Sequence, residues 1–416
     1  MPAKRRKNGE GSWGTKKIKG VEYKYFRKQY NDTDKYFYGK TEKEIKEKIK
    51  AYENDNSLTI DKDIKKQIFG DYLLNWLKTI KQPAIKRRTY DSYEDIVNVQ
   101  IINYTGFDIS GKQIGSLNDD VFQKYYNDLA SQYSRATIRK NYVIVKQCLE
   151  YALIKKHVTE NFLENVTIPS EDLVKVKKKE INFLTESDMD KLYNESKRVN
   201  TKGFNIGGKV GEPVYGINAY AVIFIMYTGL RIGELIALKW KDVDLDGKYI
   251  YINKSASTIK NRDKNSNEDK KYVKEITSAK TKSGNRSIPL SDRAIEMLNL
   301  LINKNPNYKP DDIVFLNQND NMVSRANVTR TLQSMLTRAE CEVEQCGLHA
   351  LRHTFGSYLI LHKIDVKIVS QLMGHKDVTV TYNIYVHIIE QQKIDAVNIF
   401  DKIKQDEYKK EEILWI

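Results

Sequence analysis

The chain has 416 residues, 40% of them hydrophobic, with 70 lysines and arginines against 55 aspartates and glutamates and a formal net charge of +15. That length exceeds one ordinary domain, and that apolar content excludes a wholly disordered chain. The cationic surplus points to a polyanionic partner, with nucleic acid the first candidate and an acidic membrane surface the second. No run approaches the roughly eighteen apolar residues of a membrane span, so no membrane role is expected. The basic start, MPAKRRKNGEGSWGTKK, lacks the apolar stretch of a secretory signal. Cys148, Cys341 and Cys346 are too few and too odd in number for a disulfide scaffold. A reducing, cytoplasmic setting is expected.

Residues 1–57 form a first unit. Trp13, Tyr23, Tyr25, Phe26, Tyr36, Phe37 and Tyr38 lie among lysines and arginines, and the alternation around Tyr23 and Tyr25 predicts strands. Asn31-Asp32 marks a turn between two aromatic runs. Thr41 and Glu44 have capping-box spacing, and the helix that follows, 42–52, places Ile45 and Ile49 on one face. Most of the aromatics read as core, with stacking on nucleic-acid sugars as the alternative. Lys16, Lys17, Lys19, Lys24 and Arg27 are the residues expected to face a DNA groove.

Residues 56–65 read as a linker. A helical domain over 66–168 follows. Phe69, Tyr72, Leu73, Trp76, Leu77 and Ile80 recur at helical spacing, with a stop expected before Pro83. Further helices are expected over 89–102, 119–130 and 137–155, the last burying Ile138, Tyr142, Val145, Cys148, Leu149 and Ala152. Lys86, Arg87 and Arg88, with Arg135, Arg139 and Lys140, are candidate DNA contacts. A solvated face is the plainer account of any one such cluster.

A basic linker covers 167–180, and a larger domain spans 180–400. Thr185 caps a helix with Asp188 at its third position. Residues 218–227 read as a buried helix and 248–252 as a strand after the Asp246-Gly247 turn. Residues 258–271 read as a polar loop, and 274–290 as a hairpin with Ser283-Gly284-Asn285 at its tip. Ser291 caps another helix, and 326–400 is mostly helical.

The residues that carry chemistry lie in this last domain: Thr228-Gly229-Leu230-Arg231-Ile232-Gly233-Glu234-Leu235, Lys280 to Arg286, His349-Ala350-Leu351-Arg352-His353, Leu372-Met373-Gly374-His375, and Tyr382 to His387. Arg231 opens a short apolar helix. A guanidinium there clamps an oxyanion, with Glu234 one turn on to orient it; alone, the pair reads as a plain salt bridge. His349 and Arg352 share a helix face, a poor structural pairing unless both meet a phosphate. Lys280 on a hairpin arm can protonate a leaving oxygen, with Lys282 and Arg286 as alternatives or as phosphate contacts. Tyr385 would be a nucleophile if cationic neighbours lowered the cost of its phenolate; Tyr382 is its rival. Cys341, Cys346, His349 and His353 make a less favoured zinc set, because their spacing is tighter than that of fingers. Two arginines, a lysine, two histidines and a tyrosine together suit phosphoryl transfer through a covalent tyrosine, with no metal and no ATP loop.

These motifs, in this order, resemble the tyrosine recombinase or phage integrase family over about residues 180–400. By pattern only, the upstream regions resemble that family's arm-type and core-type DNA-binding domains. The layout is similar to integrases of prophages and conjugative transposons. The resemblance implies a mainly α, multidomain protein with small β-sheets. It places Arg231, Lys280, His349, Arg352, His375 and Tyr385 in the catalytic positions. It implies a 3′-phosphotyrosyl intermediate, a four-way junction, no cofactor and no metal. Its partners would be double-stranded attachment sites of core and arm type, a homotetramer on synapsed DNA, and excision or bending factors. A tail, 401–416, ends in Ile413-Leu414-Trp415-Ile416, and docking on a neighbouring protomer is the expectation for it. The alternatives are a topoisomerase-like DNA relaxer and a non-catalytic DNA-binding regulator.

Overall fold

Alternation builds the first sheet. In the computed structural model, which describes residues 11–18, 21–30, 33–56, 62–177, 183–201, 210–262, 271–278, 284–343, 346–385 and 397, strands β1 (Ser12–Ile18), β2 (Val21–Tyr30) and β3 (Thr33–Gly39) form an antiparallel sheet in that order. The register pairs Trp13 with Phe26 and Phe26 with Phe37, so these rings share one face. Helix α1 (Glu42–Asn56) packs on that face, with Ile45 buried and Tyr52 meeting Phe37 edge-on at 5.2 Å. The Thr41 hydroxyl accepts the Glu44 N–H at 3.2 Å, while the Glu44 carboxylate accepts the Lys40 N–H, one residue before the expected partner. The other face carries Lys16, Tyr23, Tyr25, Arg27, Tyr36 and Tyr38.

The chain divides into two compact units, 1–178 and 179–416. Besides the sheet, the first holds a helical core. Helix α2 (Lys62–Lys66) occupies the end of the expected linker. Helix α3 (Phe69–Trp76) passes through a π turn (Leu77–Lys81) into α4 (Gln82–Ala84), so the helix does not stop before Pro83. Proline has no N–H to give. The wider turn, in which the Gln82 N–H reaches the Leu77 carbonyl, shifts the ladder and lets Pro83 sit in the last turn. Helix α5 (Arg87–Val97) starts two residues before the expected Thr89 and runs into a second π turn (Asn98–Ile102). Asn118 caps α6 (Asp119–Leu129), and α7 (Arg135–Ile154) buries Ile138, Val145, Cys148, Leu149 and Ala152 as the spacing predicted. Tyr142 is half-buried, its hydroxyl donating to the Leu163 carbonyl at 2.7 Å. Asn141, fully buried in this core, donates to the Tyr125 hydroxyl at 2.8 Å and to the Gln100 amide at 3.2 Å, so its burial carries no unpaired polar group.

The second unit is built around an apolar helix. Helix α9 (Ile217–Thr228) buries every side chain from Ala219 to Met226. It packs against α8 (Glu186–Ser196), α11 (Asp292–Lys304), α12 (Arg325–Arg338) and α13 (Leu348–Leu361), and the short α10 (Ile232–Ile236) follows it. Asp188, at the third position of α8, has a buried carboxylate that accepts the Glu342 N–H at 2.9 Å. Helix α14 (Val366–Met373) and a helical segment over 378–385 follow.

The hairpin expected over 274–290 is not formed. Strand β7 (Tyr272–Ser278) pairs with β6 (Lys254–Lys260), while β8 (Arg286–Pro289) joins β4 (Val243–Asp244) and β5 (Tyr249–Ile252) in the order β4-β5-β8. Ile288 opposite Ile250 explains the choice, because both are fully buried on the same face. Strand β6 also takes residues 258–260, which had read as loop.

Candidate active site

Two chain reversals, at Gly229 and Gly374, place the charged groups. Gly229 ends α9 in the left-handed region (φ 65°), and a Cβ there would lie 2.5 Å from Phe355, so only glycine makes this turn. The turn delivers Arg231 to the start of α10. Its N–H and its Nη1 both donate to the Glu234 carboxylate at 2.9 Å. Arg352, on α13, is 1% exposed. Its Nη1 donates to the Gly229 carbonyl at 2.6 Å and its Nη2 to the Met373 carbonyl.

Three arginines meet three successive carbonyls at the end of α14. Arg286 Nε donates to Leu372 O at 2.7 Å, Arg352 to Met373 O, and Arg231 Nη2 to Gly374 O at 3.2 Å. The carbonyl end of a helix is its negative pole, so cations collect there. The next residue, His375, therefore stands beside the cluster, with its Nδ1 2.7 Å from the Thr381 hydroxyl. Burial, then Arg231, push the Arg352 guanidinium down to about 9, still cationic at neutral pH. Burial, then Arg352 and Arg231, push His375 down to about 4. His349 moves down for the same reasons. Burial and His349 take His353 to about 4. The site is thus a field of guanidiniums with neutral imidazoles at its edge. Arg231 and Arg352 each spend two guanidinium N–H donors on the contacts above, which leaves donors for an anion.

Tyr385 lies beside this cluster, 1% exposed, against Ile360, Val369 and Met373. Its hydroxyl stands 3.5 Å from His353 Nδ1, 3.4 Å from the His353 carbonyl and 3.6 Å from the Met373 sulfur, all long for hydrogen bonds. The expected lowering of its pKa by cations is reversed in this conformation. Burial raises the phenol above its usual value, and the opposing pull of Arg352 is smaller. Tyr382 is 36% exposed.

Arg286 corrects its sequence assignment. It was expected to touch DNA, but its side chain is 6% exposed and forked onto Glu234 at 3.1 and 2.8 Å. Lys24, exposed, pairs with Glu42 at 3.2 Å on the helix-covered face of the sheet, and alternation puts Lys17 on that face as well. Lys16 and Arg27 are on the open face, where Arg27 pairs with Asp34 and lies 5.9 Å from the Tyr36 ring. Lys86, Arg87, Arg88, Arg139 and Lys140 are exposed, whereas Arg135 is half-buried and donates to the Pro169 carbonyl at 3.1 Å. Lys19, Lys280, Lys282 and the tail 401–416 lie outside the described residues. Among the described residues no three His, Cys, Asp or Glu side chains converge as a metal group, and no helix is long and apolar enough to cross a membrane. Sequence reasoning missed Gly356, packed under the Tyr385 hydroxyl, and Thr381 on His375. Their only signal was position: Gly356 is one turn past Arg352, and Thr381 one turn before Tyr385.

A profile described as the phage integrase family matches residues 182–392. The chain belongs to the phage integrase family. A tyrosine recombinase described as XerC-like, from Caldanaerobacter subterraneus, is 27% identical over 89% of this chain and 92% of its own length. An integrase of a Staphylococcus phage is 25% identical over 86% of this chain and 99% of its own. Among solved structures, a Tn1549 transposon integrase in complex with transposon right end DNA superposes with a TM-score of 0.60 at 19% identity, covering 77% of this chain and 95% of that one. A lambda integrase dimer bound to a core site gives 0.54 at 16% identity, over 92% and 96%. These two share the fold. This integrase-family chain is a tyrosine recombinase, mainly helical with small antiparallel sheets, as the motifs predicted.

Proposed function

We propose that this recombinase cuts and rejoins DNA at specific attachment sites through a 3′-phosphotyrosyl intermediate, integrating and excising a mobile element. The supporting observation is the convergence of Arg231, Arg352 and His375 at the end of α14, with Tyr385 packed beside them. Arg231 and Arg352 bind the non-bridging oxygens of the scissile phosphate with their remaining donors. Tyr385 leaves its apolar nest, and its oxygen attacks phosphorus. The bond from phosphorus to the 5′ oxygen breaks, and Lys280 supplies the proton that makes a 5′-hydroxyl. The phenolic proton leaves by way of a neutral imidazole or water, and His349 and His375 border the transferring group. The phosphate ester is conserved in the tyrosyl link, so rejoining needs no ATP. Guanidiniums supply the charge that a metal pair supplies elsewhere.

DNA would be held at two kinds of site. The open Tyr–Lys–Arg face of the N-terminal sheet suits arm-type DNA, and the exposed basic groups of α5 and α7 suit core-type DNA. Domain limits of 1–57, 66–168 and 180–400 follow that division. Four protomers on two synapsed duplexes would exchange strands through a four-way junction. The tail would dock in trans, bending or excision factors would set direction, and the reaction would run in the reducing cell interior. A nicked cognate duplex that loses its short 5′ end traps the intermediate. The wild type should accumulate a protein–DNA adduct and join a supplied 5′-hydroxyl strand from a second duplex. Adduct without joining between duplexes would indicate a relaxer, and no adduct would remove the proposal.

A further inference from the structure

The Glu234 carboxylate is 7% exposed, and each of its oxygens is claimed by two arginines. Oε1 accepts Arg231 Nη1 at 2.9 Å and Arg286 Nη1 at 3.1 Å. Oε2 accepts the Arg231 N–H at 2.9 Å and Arg286 Nη2 at 2.8 Å. Burial alone would raise this carboxyl, but Arg286, then Arg231, hold it below the usual carboxylate range. Arg286 is the buried member, at 6% exposure, whereas the Arg231 side chain is 39% exposed and, apart from Glu234, is held by its Nη2 contact with Gly374 O at 3.2 Å. The third contact of Arg286, Nε to Leu372 O at 2.7 Å, grips the helix end three residues before His375.

A buried ion network is a weak source of stability, since apolar side chains of the same volume often serve as well. A planar fork that fixes both oxygens of one carboxylate is a strong source of direction. We propose that Arg286 is a positioning residue for strand cleavage: through Glu234 it aims the Arg231 guanidinium. This rests on Arg231 acting as a phosphate clamp. A lysine at position 286 keeps the charge but lacks the fork, so it cannot hold two carboxylate oxygens and a carbonyl together.

The test is single-turnover cleavage of the nicked duplex by the full chain and its Arg286→Lys, Arg231→Ala and doubly substituted forms, with DNA affinity and melting temperature measured beside it. Arg286→Lys should cleave about tenfold to hundredfold more slowly, the scale seen when an outer-shell partner is lost, while binding DNA and melting as the wild type does. The double variant should be no slower than Arg231→Ala, because both changes remove one function. A methylphosphonate at the scissile position removes the charge that Arg231 meets, and the Arg286→Lys deficit should then shrink to about twofold or less. Additive losses, a deficit that persists on the methylphosphonate, or wild-type cleavage by Arg286→Lys would overturn the inference. Wild-type cleavage by Arg231→Ala would instead overturn the clamp on which it rests.

Discussion

Gly356→Ala should drive Tyr385 out of its nest. A Cβ at position 356 would fall on the Tyr385 hydroxyl, 2.7 Å from its Cζ and 2.8 Å from the Met373 sulfur. No real Cβ is accommodated there, and Met373 is itself fully buried. Forcing the methyl in costs about 1–3 kcal/mol of overpacking. Expelling the ring instead forfeits roughly 1.5–3 kcal/mol of aromatic burial. Alanine in place of glycine in a helix returns about 1 kcal/mol. The net is a unit weakened by about 0.5–2 kcal/mol, the balance of the last two terms, and a tyrosine moved to solvent. Nitration followed by peptide mass spectrometry reads one ring among the 27 tyrosines. Tyr385 should be protected in the wild type and labelled in the variant, which should also form covalent adduct at least as fast. A variant that melts like the wild type and still protects Tyr385 would refute the packing on which this argument depends.

His353 and His375, both held near 4 by burial, should make the protein lose stability as pH falls from about 6.5 toward about 4. The unfolded chain binds the extra protons in that window, so the native state is favoured above it; thermal melts against pH should flatten in His375→Asn. Arg352→Ala should leave the Gly229 and Met373 carbonyls unpaired in the interior. The loss is about 1–3 kcal/mol for each group, read as a lower urea midpoint, together with lost cleavage. On arm-type DNA, replacing Lys16 and Arg27 with alanine should weaken binding uniformly across sequences and reduce the salt slope by about one per lost phosphate contact. Lys24→Ala should leave that slope unchanged, because Lys24 faces Glu42.

Local signals carried much of the fold. The caps at Thr41, Thr185 and Ser291, the apolar run of α9 and the stripe along α7 all mark elements where they stand. Pairing between distant strands was not legible. Turn-forming residues at 283–285 suggested a hairpin, but burial of Ile288 against Ile250 decides the sheet, and that contact spans a polar insertion. The site was legible as a set of boxes and not as geometry. Spacing gave Glu234 as a partner for Arg231, and it is one. Nothing local assigned Arg286 to the same carboxylate, because a basic residue beside a predicted hairpin tip reads equally well as a phosphate contact. The burial of Tyr385 was hidden for a related reason: a single tyrosine carries no pattern, and its cavity is shaped by Gly356, Val369 and Met373 from two other helices.

Digestion of the trapped protein–DNA complex, followed by mass spectrometry of the nucleotide-linked peptide, asks directly which atom broke the strand. The account predicts a single adduct on the phenolic oxygen of Tyr385, joined to a 3′-phosphate, and none in Tyr385→Phe. An adduct on Tyr382, or on any other side chain, would contradict it.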